Sequence, residues 1–576
     1  MTFKELLARI FIFLGKDADI NSKMIKLAEN LRPMKRLLAL TLFLALFLPS
    51  FAADVLEVRE TRVPVLIERQ DNEVFLLRIT PSEVRSLDRI TLTFGEGVNL
   101  KAIRRVKLYY GGTDTRTYNR SSAFAPTEYM TAFDPGKTLS ADPSYSMLLF
   151  RTRKIRRALV LEASKPLFPG VNYFWVSVEM KRRKARLSDG FTVQVTSAEA
   201  DGKPLEVKTV SPEGIVHRMG VGVRHAGDDG VAAYRIPGLV TSRRGTLVAT
   251  YDIRHNHSRD LQDYIDIGVS RSTDGGRTWK KMRKAVAMGE AKGLPLAQNG
   301  AGDAAILSDD VNGNLWIATI WAHGMGRTAS WWSTTPGLDP EHTAQLVVSC
   351  SRDDGLTWSV PRSITPQLKD SAWAFFFDGP GRGITTSDGK LVFASQYTDF
   401  DAGRTPHAGI IYSEDRGETW HIHTAAKDST TEAQVAELPD GALMLNMRDN
   451  RGGARSVAVT RDMGRTWEEH PSSRSALREP VCMASLISVR AADNVLGRDI
   501  LLFSNPDDTR ARRNITIKAS LDGGLTWNEG VLLDERDGWG YSCLTMIDEC
   551  TVGILYESSV ANMTFQAIPL TDIVTE

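Results

Sequence analysis

The chain has 576 residues, with 71 Lys and Arg against 70 Asp and Glu, for a net charge of +1. A balance this close to neutral gives no sign of a nucleic-acid or acidic-membrane partner, and excludes only a chain that is strongly basic overall. Hydrophobic content of 42% and charged content of 24% describe an ordinary folded chain, and the length exceeds one typical core, so two or more domains are expected.

The first element in chain order is an address. Met34-Lys35-Arg36 is a short basic segment, Leu37 to Leu48 is apolar throughout, and Pro49-Ser50-Phe51-Ala52 places small residues where a signal peptidase needs them for cleavage after Ala52. Such a run is too short to span a bilayer and has the order of a signal peptide. The pattern starts at Met34, so residues 1–33 read as an over-extended start and residues 1–52 fall outside the fold. The mature protein is expected to be exported, periplasmic or secreted, with no integral membrane segment.

Residues 53–212 read as β-structure. Short alternating runs such as RITLTF (89–94), RRVKLYYGG (104–112) and FTVQVTSA (191–198) are separated by Gly, Asp, Pro and Ser, and no helical period persists. Many short strands in about 150 residues predict a smaller β-sandwich, an architecture shared with carbohydrate-binding modules.

From 213 to 576 the texture changes because repeats appear. They read SRSTDGGRTW (270–279), SCSRDDGLTW (349–358), YSEDRGETW (412–420), VTRDMGRTW (459–467) and ASLDGGLTW (519–527). The shared core, [S/T]-x-D-x-G-x-T-W, predicts a strand, a tight turn and a strand: Asp accepts backbone N–H groups across the turn, and Gly takes positive φ. Five copies cannot share one active centre, so the motif is scaffold. Units of about 60 residues over such a span predict a propeller of six blades. The whole is therefore expected to be all-β.

Chemistry is carried by residues beside the repeats. Arg235 sits in the apolar stretch AYRIPGLV, and Arg448 in LMLNMRDN; Arg510, Arg512 and Arg513 lie in DTRARRNITIKAS. An arginine in an apolar strand is costly unless it meets an anion. Singly, each is more often half of a salt bridge. Together, arginines at strand starts on different blades can converge on a propeller axis and hold a carboxylate.

YRIP, the five Asp-boxes, TEAQVAELPDGALMLNMRD and GYSCLTMID together resemble the exo-α-sialidases (neuraminidases) of the Asp-box type, over roughly 225–576. The resemblance implies a six-bladed β-propeller with its site at the centre of one face, and chains with an added N-terminal sandwich look like exported bacterial members. It makes Arg235 and Arg448 the first two members of an arginine triad and Arg512 the third, with Arg513 as the alternative, since a one-residue shift turns the side chain to the other face. It makes Tyr541 the nucleophile, Glu432 the carboxylate that activates it, and Asp260 the acid/base, with Asp252 and Asp263 as rivals. Arg254 and Asp303 look like contacts to the sugar's 4-position and N-acyl region. No metal or organic cofactor is implied.

The residue types suit that chemistry. Sialic acid carries a carboxylate on its anomeric carbon, which repels a carboxylate nucleophile but not a neutral tyrosine. A free tyrosine, with pKa about 10, needs a base beside it. Tyrosine-nucleophile sialidases are a recognised exception to the two-carboxylate scheme of glycosidases. The implied partners are sialylated glycans: glycoproteins, gangliosides and oligosaccharides. A sialic-acid-binding propeller without activity would keep the arginines and lose Tyr, Glu or Asp; a purely structural propeller leaves the arginines unexplained.

Some residues carry no assignment. Trp321, Trp331, Trp332 and Trp373 read as inter-blade loop residues that stack on sugar or pack in a core. Cys350, Cys482, Cys543 and Cys550 lack metal spacing and read as free thiols, with a Cys543–Cys550 pair left open. The histidines at 255, 257, 323, 342 and 407 show no metal spacing.

Overall fold

In the N-terminal region the alternation in sequence becomes a pleat with one buried face. A computed structural model describes residues 54–113, 146–326 and 329–574; the signal-peptide reading of 1–52 lies outside these. From Leu56 on they belong to one compact unit. One six-stranded sheet runs Glu206–Thr209, Val55–Glu60, Asn72–Ile79, Asn172–Met180, Ile103–Gly112, Met147–Thr152. A four-stranded sheet runs Lys203–Pro204, Val193–Ala200, Ser86–Phe94, Ala158–Pro166. Strand Ala158–Pro166 buries every second residue, whereas the central Asn172–Met180 is buried along its whole length. Leu77, Leu108 and Val176 of the first sheet share one core with Ile90, Leu161 and Val195 of the second. This is the expected sandwich.

The repeats build six antiparallel sheets. Blade I is Ala233–Thr241, Leu247–Arg254, Ile265–Ser272 and Arg283–Val286. Blade II starts at Ala301–Ser308, blade III at Trp373–Asp378, blade IV at Thr430–Glu437 and blade V at Ser485–Val489. Blade VI is made differently. Ser542–Asp548, Thr551–Tyr556 and Met563–Pro569 are consecutive, and the fourth strand is His217–Arg224, from ahead of blade I. The outer edge of that strand pairs in parallel with Val65–Leu66 and antiparallel with Gly190–Phe191, so the sandwich continues into blade VI.

Each Asp-box is the turn from the third to the fourth strand of blades I to V. Blade VI takes its fourth strand from elsewhere in the chain, and so five boxes serve six blades. The bonding is the same each time. In the first box the Ser272 hydroxyl donates to Asp274 and accepts from Gly276 N, while Asp274 accepts from Thr278 N and Thr278 Oγ1. Ser520, Asp522, Gly524 and Thr526 repeat this in the fifth. Gly276 has φ +84, and a Cβ there would lie 1.9 Å from the Phe565 ring of blade VI. Glycine is thus required twice, for its backbone and for contact with the next blade. Trp279 meets the same ring edge-on at 5.3 Å.

Antiparallel alternation decides which face each loop reaches. The starts of first strands, the ends of second strands and the loops between second and third strands share one face. The Asp-boxes lie on the other. Among the described residues no helix is long and apolar enough to cross a membrane, and all four cysteines are free thiols.

Candidate active site

The face opposite the Asp-boxes gathers the residues singled out above. Arg235 is at the start of the first strand of blade I, Asp303 near the start of blade II and Glu432 near the start of blade IV. Each sits at a register shift, between Arg235 and Gly238, Gly302 and Ala305, and Thr430 and Ala433. A bulge turns a side chain out of the pleat, here toward the axis. Arg448 ends the second strand of blade IV, Arg512 lies in the loop between the second and third strands of blade V, and Tyr541 directly precedes blade VI. Only Arg235 of the three arginines is at a strand start; what they share is the face, because strand ends and inter-strand loops reach it too.

Tyr541 is at the centre. Its hydroxyl donates to Glu432 Oε1 and accepts from Arg448 Nη1 at 3.2 Å, and Arg448 Nη1 also donates to Glu432 Oε2 at 2.6 Å. Burial pushes the Tyr541 hydroxyl well above its usual value, and the Glu432 charge adds to this, so the resting group is a neutral phenol. The guanidinium of Arg512 lies 5.7 Å from the Tyr541 ring centroid and that of Arg235 5.5 Å. Arg512 donates to the carbonyls of Val481 and Trp539, both at 3.1 Å, and forms no ion pair among the described residues, so donors are left for an anion. Arg513 instead turns to Asp508, with Nε to Oδ2 at 2.8 Å. The geometry favours Arg512.

Across the axis is an acidic group. Asp252 is 1% exposed and accepts from Arg254 Nε and Nη2 at 3.1 and 2.9 Å and from Asp303 N at 3.0 Å. Burial raises its pKa to about 6 in spite of Arg254. Desolvation beside the charges of Asp252 and Asp260 raises the Asp303 carboxyl well above its ordinary value. Asp260 differs: its side chain is 71% exposed and takes Arg254 Nη1 at 2.6 Å. The protein around it displaces some water, which works to raise its pKa, but the guanidiniums of Arg254 and Arg235 outweigh that and lower it. Asp263 pairs with His257 and Asn256. Of the three aspartates in this region, Asp260 is the exposed one with a guanidinium behind it.

Asp260 stands between two cavities. One of about 560 Å³ is lined by Asp303, Glu432, Arg448 and Tyr541 with Trp331, Phe375 and Phe377, a volume within the range of small-molecule sites. The other, about 1010 Å³, is lined by Arg235, Trp539, Asn256, Gln262 and Gln298. Arg254 lines neither: it is 1% exposed and is held by Asp252, Ser258 O and Asp260, behind the Asp260 carboxylate. Trp331 and Trp332 belong to the short helix Ser330–Ser333 beside the first cavity. Trp321 ends a strand, and Trp373 starts one and stacks on Tyr397 at 3.8 Å. Among the described residues no group of His, Cys, Asp or Glu is arranged to hold a metal ion.

Residues 53–204 match the N-terminal domain of BNR-repeat neuraminidase, and residues 245–554 match the BNR repeat-like domain. The sialidase of Bacteroides fragilis (strain YCH46) is 56% identical over 525 residues, 91% of this chain and 96% of that one. The chain belongs to the BNR-repeat neuraminidase (sialidase) family. It is an exo-α-sialidase, a glycoside hydrolase acting on sialylated substrates. The solved Hadza microbial sialidase Hz136 is 53% identical, with a TM-score of 0.84, covering 90% of this chain and 100% of that one. A sialidase of Micromonospora viridifaciens is 34% identical over 341 residues, 58% of this chain and 50% of that one.

Two residues of the sialidase site escape a reading of the sequence. Glu557 is buried and binds three groups: Arg235 Nε at 2.6 Å, Ile236 N at 3.0 Å and Tyr541 N at 3.0 Å. It anchors an arginine and the tyrosine together. Its signal is an acid at the end of the apolar run TVGILY, the same anomaly that marks Arg235. Trp539 lies under the Arg235 guanidinium at 4.3 Å and has no signal apart from its place two residues before Tyr541.

Proposed function

We propose that this sialidase releases terminal α-linked sialic acid with net retention, through a glycosyl-tyrosine intermediate on Tyr541. The observation that carries the reading is the Tyr541 hydroxyl held between Glu432 and Arg448, with the guanidiniums of Arg235 and Arg512 over the same ring. Arg235, Arg448 and Arg512 take the substrate carboxylate and orient the anomeric carbon toward Tyr541. Glu432 accepts the phenol proton as the C–O bond forms. Asp260 protonates the leaving oxygen and then activates water. A bound carboxylate offsets the arginine charge that lowers Asp260, which favours the protonated form in the complex. Asp303 holds the 4-hydroxyl side, with Arg254 acting there behind Asp260.

The larger cavity on the far side of Asp260 is assigned to the leaving group, in keeping with glycoprotein, ganglioside and oligosaccharide substrates. Residues 53–212 and 213–576 are taken as the sandwich and catalytic domains, glycan binding by the sandwich remaining a proposal, and residues 1–52 as the export segment for periplasm or medium.

The test is release of sialic acid from an aryl α-sialoside, followed by NMR of the first-formed anomer, with Tyr541→Phe in parallel. The expected results are the α-anomer first and a loss of at least about 10³-fold in kcat for the variant with its melting temperature kept. A β-anomer first, or a fully active Tyr541→Phe, removes the tyrosyl intermediate.

A further inference from the structure

The segment from Asp534 to Tyr541 joins blade V to blade VI and carries both Trp539 and Tyr541. It contains Gly538 and Gly540, the latter at φ +90, and past Asp534, the last residue of strand Val531–Asp534, it lies between strands. Nothing in its own backbone fixes Tyr541, so its precision comes from what it touches. Toward the propeller, Asp534 accepts from Ser559 N at 2.8 Å and Oγ at 2.9 Å, Gly538 N donates to Arg512 O at 2.9 Å, and Tyr541 N donates to Glu557.

A second set of restraints comes from the sandwich. Arg536 Nη2 donates to Glu73 Oε1, an ion pair with side chains 7% and 5% exposed. Glu535 N donates to Arg62 O at 2.9 Å, and Glu535 Oε1 accepts from Arg59 Nη2 at 3.1 Å. Burial works against the Arg536 cation, and Glu73 outweighs it.

These contacts are not needed to keep the two layers together. Strands Val65–Leu66 and Gly190–Phe191 already join the sandwich to blade VI. One apolar core runs from Leu77 and Val176 to Tyr251, Cys543 and Phe565 of the propeller. Yet Arg59, Arg62 and Glu73 all meet the one loop that presents Tyr541, whose Trp539 carbonyl also orients Arg512. A desolvated pair of this kind holds its partners in one geometry, and removing one member takes away the charge-assisted bond that ties the loop to the sandwich.

We propose that the sandwich braces the active site: Glu73 and Arg536 are positioning residues that set Tyr541 and Arg512 against the substrate. The inference rests on the catalytic reading of Tyr541 and Arg512. In the full chain, Glu73→Gln and Arg536→Gln are each expected to lower kcat about 10-fold and to raise KM for an aryl sialoside several-fold, well below melting, since misplacement of under 1 Å has such effects. The double variant should be no worse than the poorer single one. Partial unfolding, in contrast, lowers the active fraction and leaves KM unchanged.

Glu179→Gln is the control: it unpairs Arg104 and Arg105 inside the sandwich and should lower melting with kcat and KM unchanged. If Glu73→Gln does not fold, Arg59→Gln, in a partly exposed pair on the same loop, should give the same paired shift. Wild-type kcat and KM in folded Glu73→Gln or Arg59→Gln overturn the brace, as does a loss that follows melting temperature alike in Glu73→Gln and Glu179→Gln. Tyr541→Phe run alongside separates the failures. If it stays active, the catalytic reading fails; if it is inactive while Glu73→Gln is unaffected, only the brace does.

Discussion

The acids of the Asp-box turns are satisfied within the turn, whereas those of the axial face, besides neighbours such as Arg254, take partners from far along the chain. Asp274 and Asp522 are satisfied by residues two and four positions away. Asp252 takes Asp303 N from 51 residues on, Glu432 meets Tyr541 across 109, and Glu557 meets Arg235 across 322. The local bonds are complete in themselves and recur unchanged in five blades. The long-range set is left open: Asp260 is exposed, Asp303 lines the cavity, and Arg512 has two carbonyls and no carboxylate. Completeness is what a scaffold needs, and the open set is what a substrate can complete.

The sharpest way to break this contrast is at Asp260. Asp260→Asn should lower kcat/KM about 10³-fold on a sialyl-galactoside, whose alkoxide needs a proton, and far less on a nitrophenyl sialoside, whose phenolate leaves unaided. Equal losses on both substrates would assign the acid elsewhere. Next comes the pair of adjacent arginines. Arg512→Ala should cost about 10²-fold in kcat/KM through the lost carboxylate contact, and Arg513→Ala should stay within about 2-fold. The opposite ranking would move the third arginine by one position.

The smallest effect belongs to the other face. The Asp-box carboxylates are held below their usual range, Asp462 at about 2, through bonds from their own turns. A carboxylate with a lowered folded pKa stabilises fully above its unfolded value, and the contribution disappears as pH falls through the folded value. The fold should therefore weaken between about pH 4 and pH 2. Asp522→Ala should lower Tm by roughly 2 °C at neutral pH, with a gap to wild type that narrows over that acid window, and leave kcat unchanged. A selective loss of turnover at unchanged Tm would bring the boxes into catalysis.

Local regularity explains what could be read from the chain. The boxes announce themselves because turn chemistry is local, and the blades follow from their recurrence. Arg235, Arg448 and Tyr541 were legible because charge or a lone aromatic hydroxyl stands out at the end of an apolar strand, once the family's motifs supply the order. The structure adds what depends on distance. It turns Arg513 away, buries Arg254 behind Asp260 and recruits Glu557 from blade VI. The same holds for the tryptophans: a burial pattern cannot separate Trp331, beside the cavity, from Trp373, stacked on Tyr397.

Blade VI is knitted from segments synthesised far apart in time. His217–Arg224 leaves the ribosome before any of blades I to V, and its ladder partner Met563–Pro569 follows after all of them. An unpaired edge in a nascent chain is a template for the wrong neighbour. Val65–Leu66 and Gly190–Phe191 are made earlier still and cover one side of its first half, His217 to Gly220. The other side stays open until the ring can shut, and a closure of such high contact order is slow to form. The sandwich thus covers, from the start, part of the edge of the strand that closes the circle.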